Sequence, residues 1–131
     1  MTTMRKLLVV LSLATLLCIL CACPAKLAGP SGAVDNFYSA MKANDYNAAA
    51  GYVAMKDPKA DPKQLTALLT IMGASMSGTH KGIDHWDISN EKITNDKATV
   101  HVKMTYKDGT NDESNVDLVL RDGQWKLDMG K

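Results

Sequence analysis

Lys97-Ala98-Thr99-Val100-His101-Val102-Lys103-Met104-Thr105-Tyr106-Lys107-Asp108-Gly109 is the stretch that decides the fold. Ala98, Val100, Val102, Met104 and Tyr106 alternate with polar or charged residues, the period of a strand with one dry and one wet face. Asp108-Gly109 then turns the chain. Downstream, Val116, Leu118 and Leu120 alternate with Asn115, Asp117 and Arg121, and Asp122-Gly123, a strong hairpin dipeptide, leads into Trp125, Leu127 and Met129. Upstream, Ile83 to Glu91 supplies an earlier strand, joined through Ile93-Thr94-Asn95-Asp96. The second half therefore reads as a four-stranded antiparallel meander.

The period is helical before Gly82. Val34, Phe37, Tyr38 and Met41 recur at the spacing of one buried face, with Ser31 as the expected cap, Asp35 in the first turn and Lys42 in the last. Asn44-Asp45 breaks that helix. A short second helix follows, with Tyr46, Ala49, Ala50 and Val53 available for burial. Asp61 before Pro62 is the strongest helix start in the chain, and Leu65, Leu68, Leu69, Met72 and Met76 form its stripe. Gly78 and Gly82 are expected to flank the loop that closes this half. Three helices followed by four strands make an α+β domain, with the helices packed on one face of the sheet.

The chain begins differently. Arg5 and Lys6 precede an apolar run from Leu7 to Leu20, the start and core of an export signal. At 14 residues the run is shorter than the roughly 20 that a spanning helix needs, and Pro24 and Lys26 follow it closely. It ends in Leu20-Cys21-Ala22-Cys23, which resembles the site at which bacteria attach diacylglycerol to a cysteine and cut before it. Cys23 is the lipidation candidate, because small Ala22 precedes it whereas bulky Leu20 precedes Cys21. The expected organisation is a signal peptide over 1–22, lipid attachment and a tether over 23–30, and one domain over 31–131. Several acyl chains anchor stably where one is marginal, so the expected partner is the lipid bilayer, in the cell envelope. Pro24 follows the cysteine in place of the aspartate that retains many Gram-negative lipoproteins, which favours the periplasmic face of an outer membrane.

Loss of residues 1–22 leaves thirteen basic residues against fourteen acidic ones. That balance offers no basic patch for a nucleic acid. Cys18, Cys21 and Cys23 are the three cysteines, so the domain beyond them has no disulfide, thiol nucleophile or cysteine metal site. Its 109 residues are enough for one core without covalent staples.

Asn44-Asp45-Tyr46 after the first helix, Lys97-Ala98-Thr99-Val100, Tyr106-Lys107-Asp108-Gly109 and the closing Asp122-Gly123-Gln124-Trp125-Lys126-Leu127 together resemble the small bacterial lipoproteins of domain of unknown function 4878. The resemblance covers roughly residues 29–129. It implies the nuclear-transport-factor-2-like fold: a cone in which a bent antiparallel sheet wraps over helices and often encloses a pocket. That superfamily includes isomerases, dehydratases, scaffolds and carriers, so the fold does not select an activity.

The candidate chemistry is sparse. His80, His85 and His101 have no spacing that makes a metal site, and no cofactor is called for. Asp84 shares strand parity with Trp86 and Ile88, which would turn it inward, where desolvation raises a carboxyl pKa and makes a base. Tyr38 and Tyr52 are the candidate interior hydroxyls, without an identifiable companion carboxylate; core tyrosines tied to backbone or water are the plainer reading. Met72, Met76 and Met104, with Trp86, are the candidate lining of a pocket for a small apolar ligand, although methionine also fills gaps in a core that has one phenylalanine. The sequence thus favours a non-enzymatic binding or accessory module, whose partner is such a ligand or an envelope protein, over a small pocket enzyme of the isomerase or dehydratase kind. Val119 is the only apolar residue among the positions expected to face outward on the last three strands, so the domain is expected to be a monomer.

Overall fold

The computed structural model describes residues 29–130, so the signal peptide, Cys23 and the tether as far as residue 28 lie outside the described residues. Three helices, α1 (Gly29–Lys42), α2 (Tyr46–Ala50) and α3 (Pro62–His80), precede four strands, β1 (Ile83–Thr94), β2 (Lys97–Tyr106), β3 (Asn111–Arg121) and β4 (Gln124–Leu127). The strands form one antiparallel sheet in the order β1-β2-β3-β4. Leu127 also pairs in parallel with Val53, in the segment that follows α2.

The alternation along β2 is realised in full. Ala98, Val100, Val102, Met104 and Tyr106 are buried beneath the helices. Val34, Phe37 and Met41 of α1, Ala49 of α2, Leu69 of α3, and Leu118 and Leu127 from β3 and β4 complete the core. Each such Val, Leu, Met or Phe side chain contributes about 1.5–3 kcal/mol through burial. No polar or charged residue is fully buried among the described residues.

Asn44, Asp45 and Tyr46 each have a distinct structural job. Asn44 takes the left-handed conformation (φ 58°) that ends α1. The Asp45 carboxylate caps α2 by accepting the Ala48 amide at 3.1 Å. The Tyr46 ring packs against Gly73 of α3, where a Cβ would lie within 2.6 Å of ring atom Cζ. At α3 itself, Asp61 Oδ1 accepts the Lys63 amide at 2.9 Å and Pro62 opens the helix.

Four local expectations are corrected. Helix α1 starts at Gly29, so Ser31 lies inside it instead of capping it, and Asp35 lies beyond the first turn. Ser31 instead donates both its amide and its hydroxyl to Glu91 Oε1 on β1, at 2.9 and 2.8 Å. Helix α3 runs through Gly78 to His80 and stops on Lys81, which is left-handed (φ 62°). Leu68 of its stripe is 52% exposed, because five-residue α2 is too short to cover the whole apolar face.

Candidate functional site

Asp35 and Tyr38 are three residues apart on α1, which places them on the same side of the helix, and both meet Trp86 on β1. The indole Nε1 donates to Asp35 Oδ1 at 3.0 Å in a half-buried setting. The rings of Tyr38 and Trp86 lie 5.9 Å apart, and Tyr38 is edge-on to Phe37 at 5.2 Å. Burial pushes the Tyr38 phenol up to about 12, with smaller contributions from Tyr106 and from the Asp112 carboxylate. Tyr106 is raised too, by burial first and then by Asp112 and Asp108. Burial thus disfavours the Tyr38 phenolate.

Asp112 was missed, although the sequence carried its signal. Even-numbered residues of β3 face the helices, as buried Leu118 shows, and Asp112 pairs with buried Met104 on that parity. It lies where β3 runs out from under the helices and is exposed, and its charge reaches both Tyr38 and Tyr106. Asp35 carried no such signal, because its partner Trp86 is 51 residues away.

Asp84 does not point inward. Ile83 pairs with Tyr106 and His85 with Thr105, so Asp84 is the extra residue of a bulge and drops out of the alternation. It is exposed, and its carboxyl is lowered instead of raised: a hydrogen bond from His85 at 2.7 Å dominates, with Lys42 and Lys107 adding to it. An exposed, stabilised carboxylate is a poor general base at neutral pH. Tyr52 is half-buried and lines a groove with Gly32, Gly123 and Trp125, away from Tyr38. Met104 faces Trp86 across β1 and β2, Met76 lines a small cavity beside the end of α1, and Met72 packs against the core; no described cavity brings these residues together. The histidines sit at or near the surface. His80 stacks on Tyr106 at 4.4 Å and meets Asp108, and His101 meets Asn115 on the outer sheet face. Among the described residues no three metal-ligating side chains converge, and no helix is long and apolar enough to cross a membrane.

Helices stacked on one face of a four-stranded meander match solved structures of the nuclear-transport-factor-2-like (NTF2-like) class in fold. A proposed NTF2-like transpeptidase from Campylobacter jejuni aligns over 79% of this chain and 100% of its own, at a TM-score of 0.65 and 22% identity. A proposed calcium/calmodulin-dependent protein kinase type II association domain from Thiobacillus denitrificans aligns over 77% of this chain and 90% of its own, at 0.53 and 17%. A DUF4783 family protein from Bacteroides uniformis aligns over 72% and 89%, at 0.51 and 11%. At these identities the likeness is one of fold alone. The family model for a domain of unknown function, DUF4878, matches residues 21–128, and the chain belongs to that family. No curated protein matches it.

Proposed function

We propose that this protein is a lipid-anchored lipoprotein of the bacterial cell envelope, carrying an NTF2-like domain that acts as a non-enzymatic binding or accessory module. The observation that carries the reading is Leu20-Cys21-Ala22-Cys23 at the end of the apolar run, a few residues before the domain begins at Gly29. Five residues separate Cys23 from Gly29, at most about 20 Å of extended chain, which would keep the domain at the bilayer surface. The periplasmic face of an outer membrane is the proposed site in a Gram-negative host, with the soluble part a monomer. The exposed Asp84, bonded to His85, takes away the candidate base and supports a module without catalysis. The transpeptidase in the Campylobacter protein's name does not carry over at 22% identity, which reaches the fold alone. Metabolic labelling with an acyl analogue tests the anchor: Cys23→Ser should abolish the label, and a labelled Cys23→Ser chain would refute it.

A small pocket enzyme of the isomerase or dehydratase kind is the second reading, favoured by one observation: Tyr38 is a protonated phenol with Asp112 in electrostatic reach. Titration of tryptophan emission with 2-naphthol tests whether that corner binds a ligand. Saturable quenching lost in Tyr38→Phe supports it, and the absence of saturable quenching rules it out.

A further inference from the structure

The C-terminal ends of α1 and α3 meet the turn between β2 and β3 around a cavity of about 80 Å³. Three cations line it: Lys42 from the last turn of α1, Lys81 from the left-handed cap of α3, and Lys107 from the turn. Ser77 and Asn44 are also in the wall, and the Asn44 carbonyl already accepts the Tyr46 hydroxyl, which leaves its amide hydrogens available. Buried Met41 and half-buried Met76 form an apolar part of the lining. No carboxylate lines the cavity. Of the two nearby carboxylates, Asp108 is engaged with Thr110 and His80, whereas Asp84, outside the lining, bonds His85 and is also lowered by the charges of Lys42 and Lys107; Lys42 Nζ donates to the Asp84 backbone carbonyl.

Helix dipoles account for Lys42 and Lys81, since each stands at a helix C-terminus. They do not account for Lys107. The Lys107 amide donates to the Gly82 carbonyl and the Asp108 amide to the His80 carbonyl, and these bonds hold a third cation against the other two. Three cations against the one Asp84 carboxylate that faces two of them leave the crevice with an excess of positive charge. The volume holds about two or three waters at roughly 30 Å³ each, the scale of one carboxylate or one phosphate group and far below that of a whole cofactor.

We propose that the Lys42, Lys81 and Lys107 crevice binds one oxyanion group, a carboxylate or phosphate carried by the ligand of this domain. The lysines supply charge and donors, and Ser77 and the Asn44 amide supply neutral donors. The site does not depend on Cys23 or on Tyr38, so it stands or falls separately from the functions proposed above.

The test follows the thermal unfolding of the full chain in nonionic detergent by tryptophan emission, at constant ionic strength, with sodium phosphate or sodium acetate replacing sodium chloride. Millimolar phosphate, acetate or both should raise the midpoint by about 4 °C or more, and the anion that acts identifies the group recognised. Lys81→Gln/Lys107→Gln should weaken the anion's apparent affinity at least about tenfold and, with like-charge repulsion relieved, melt no lower than wild type in chloride. Lys103→Gln, on the outer sheet face, should leave the shift unchanged. Equal midpoints in all three salts would overturn the proposal, as would an undiminished shift in the double variant or one equally lost in Lys103→Gln.

Discussion

Gly73→Ala should destabilise this protein although alanine is the better helix former. In the middle of α3 the exchange gains about 1 kcal/mol of helix propensity. Against that, the new methyl would sit inside the van der Waals shell of Tyr46, at about 2.5 Å from Cε1 and 2.6 Å from Cζ. The ring cannot swing away freely, because its hydroxyl is bonded to Asn44 and its backbone belongs to capped α2. Overpacking of this kind costs about 1–3 kcal/mol, so the net loss is about 1 kcal/mol, or about 4–8 °C in the melting midpoint of a domain this size. In a Tyr46→Ala background the obstacle is gone, and the same exchange should stabilise by about 1 kcal/mol. Urea unfolding of the four members of this double-mutant cycle measures the sign reversal. A Gly73→Ala protein more stable than wild type, with no coupling to Tyr46, would show that the α2 and α3 contact is not the close packing described.

Asp35→Ala should cost about 1–3 kcal/mol by stranding the half-buried Trp86 Nε1, whereas Asp35→Asn, which keeps an acceptor, should recover most of it; chemical unfolding distinguishes the two. Asp108 is held down to about 2, first by the hydrogen bonds from the Thr110 hydroxyl and amide, then by His80. A carboxyl depressed on folding contributes stability above its unfolded pKa near 3.9, and that contribution is lost as the pH falls toward 2. Thr110→Val should raise the Asp108 pKa measured by carbon NMR, and an unchanged value would refute the hydroxyl's part.

The sheet was legible because β2 keeps strict alternation and β3 pairs with it without a break in register. The helix starts were legible where a residue type has one use, as at Asp61-Pro62. What escaped depends on insertions or on distance along the chain. A bulge adds one residue without changing the surrounding pattern, so the parity that carried Trp86 and Ile88 inward was extended wrongly to Asp84. The stripe of α3 predicted burial for Leu68, but periodicity records which face is apolar and not how far a neighbour reaches across it. Asp112 was readable by extending the even parity of Leu118 back to the start of β3, while the bonds of Asp35 to Trp86 and Ser31 to Glu91 join residues 51 and 60 apart and have no local signature.

The Ser31 and Glu91 contact also matters mechanically. A chain held at its N-terminus enters this domain at Gly29, and two residues later it is fastened to β1 by two bonds to one carboxylate oxygen. Tension on that end is shared at once between the first turn of α1 and the outer strand, which is itself held by its ladder to β2. Without Glu91 the same pull would fray α1 from its first turn and expose Val34 and Phe37, so under such a load this carboxylate would act as a strain relief for the core.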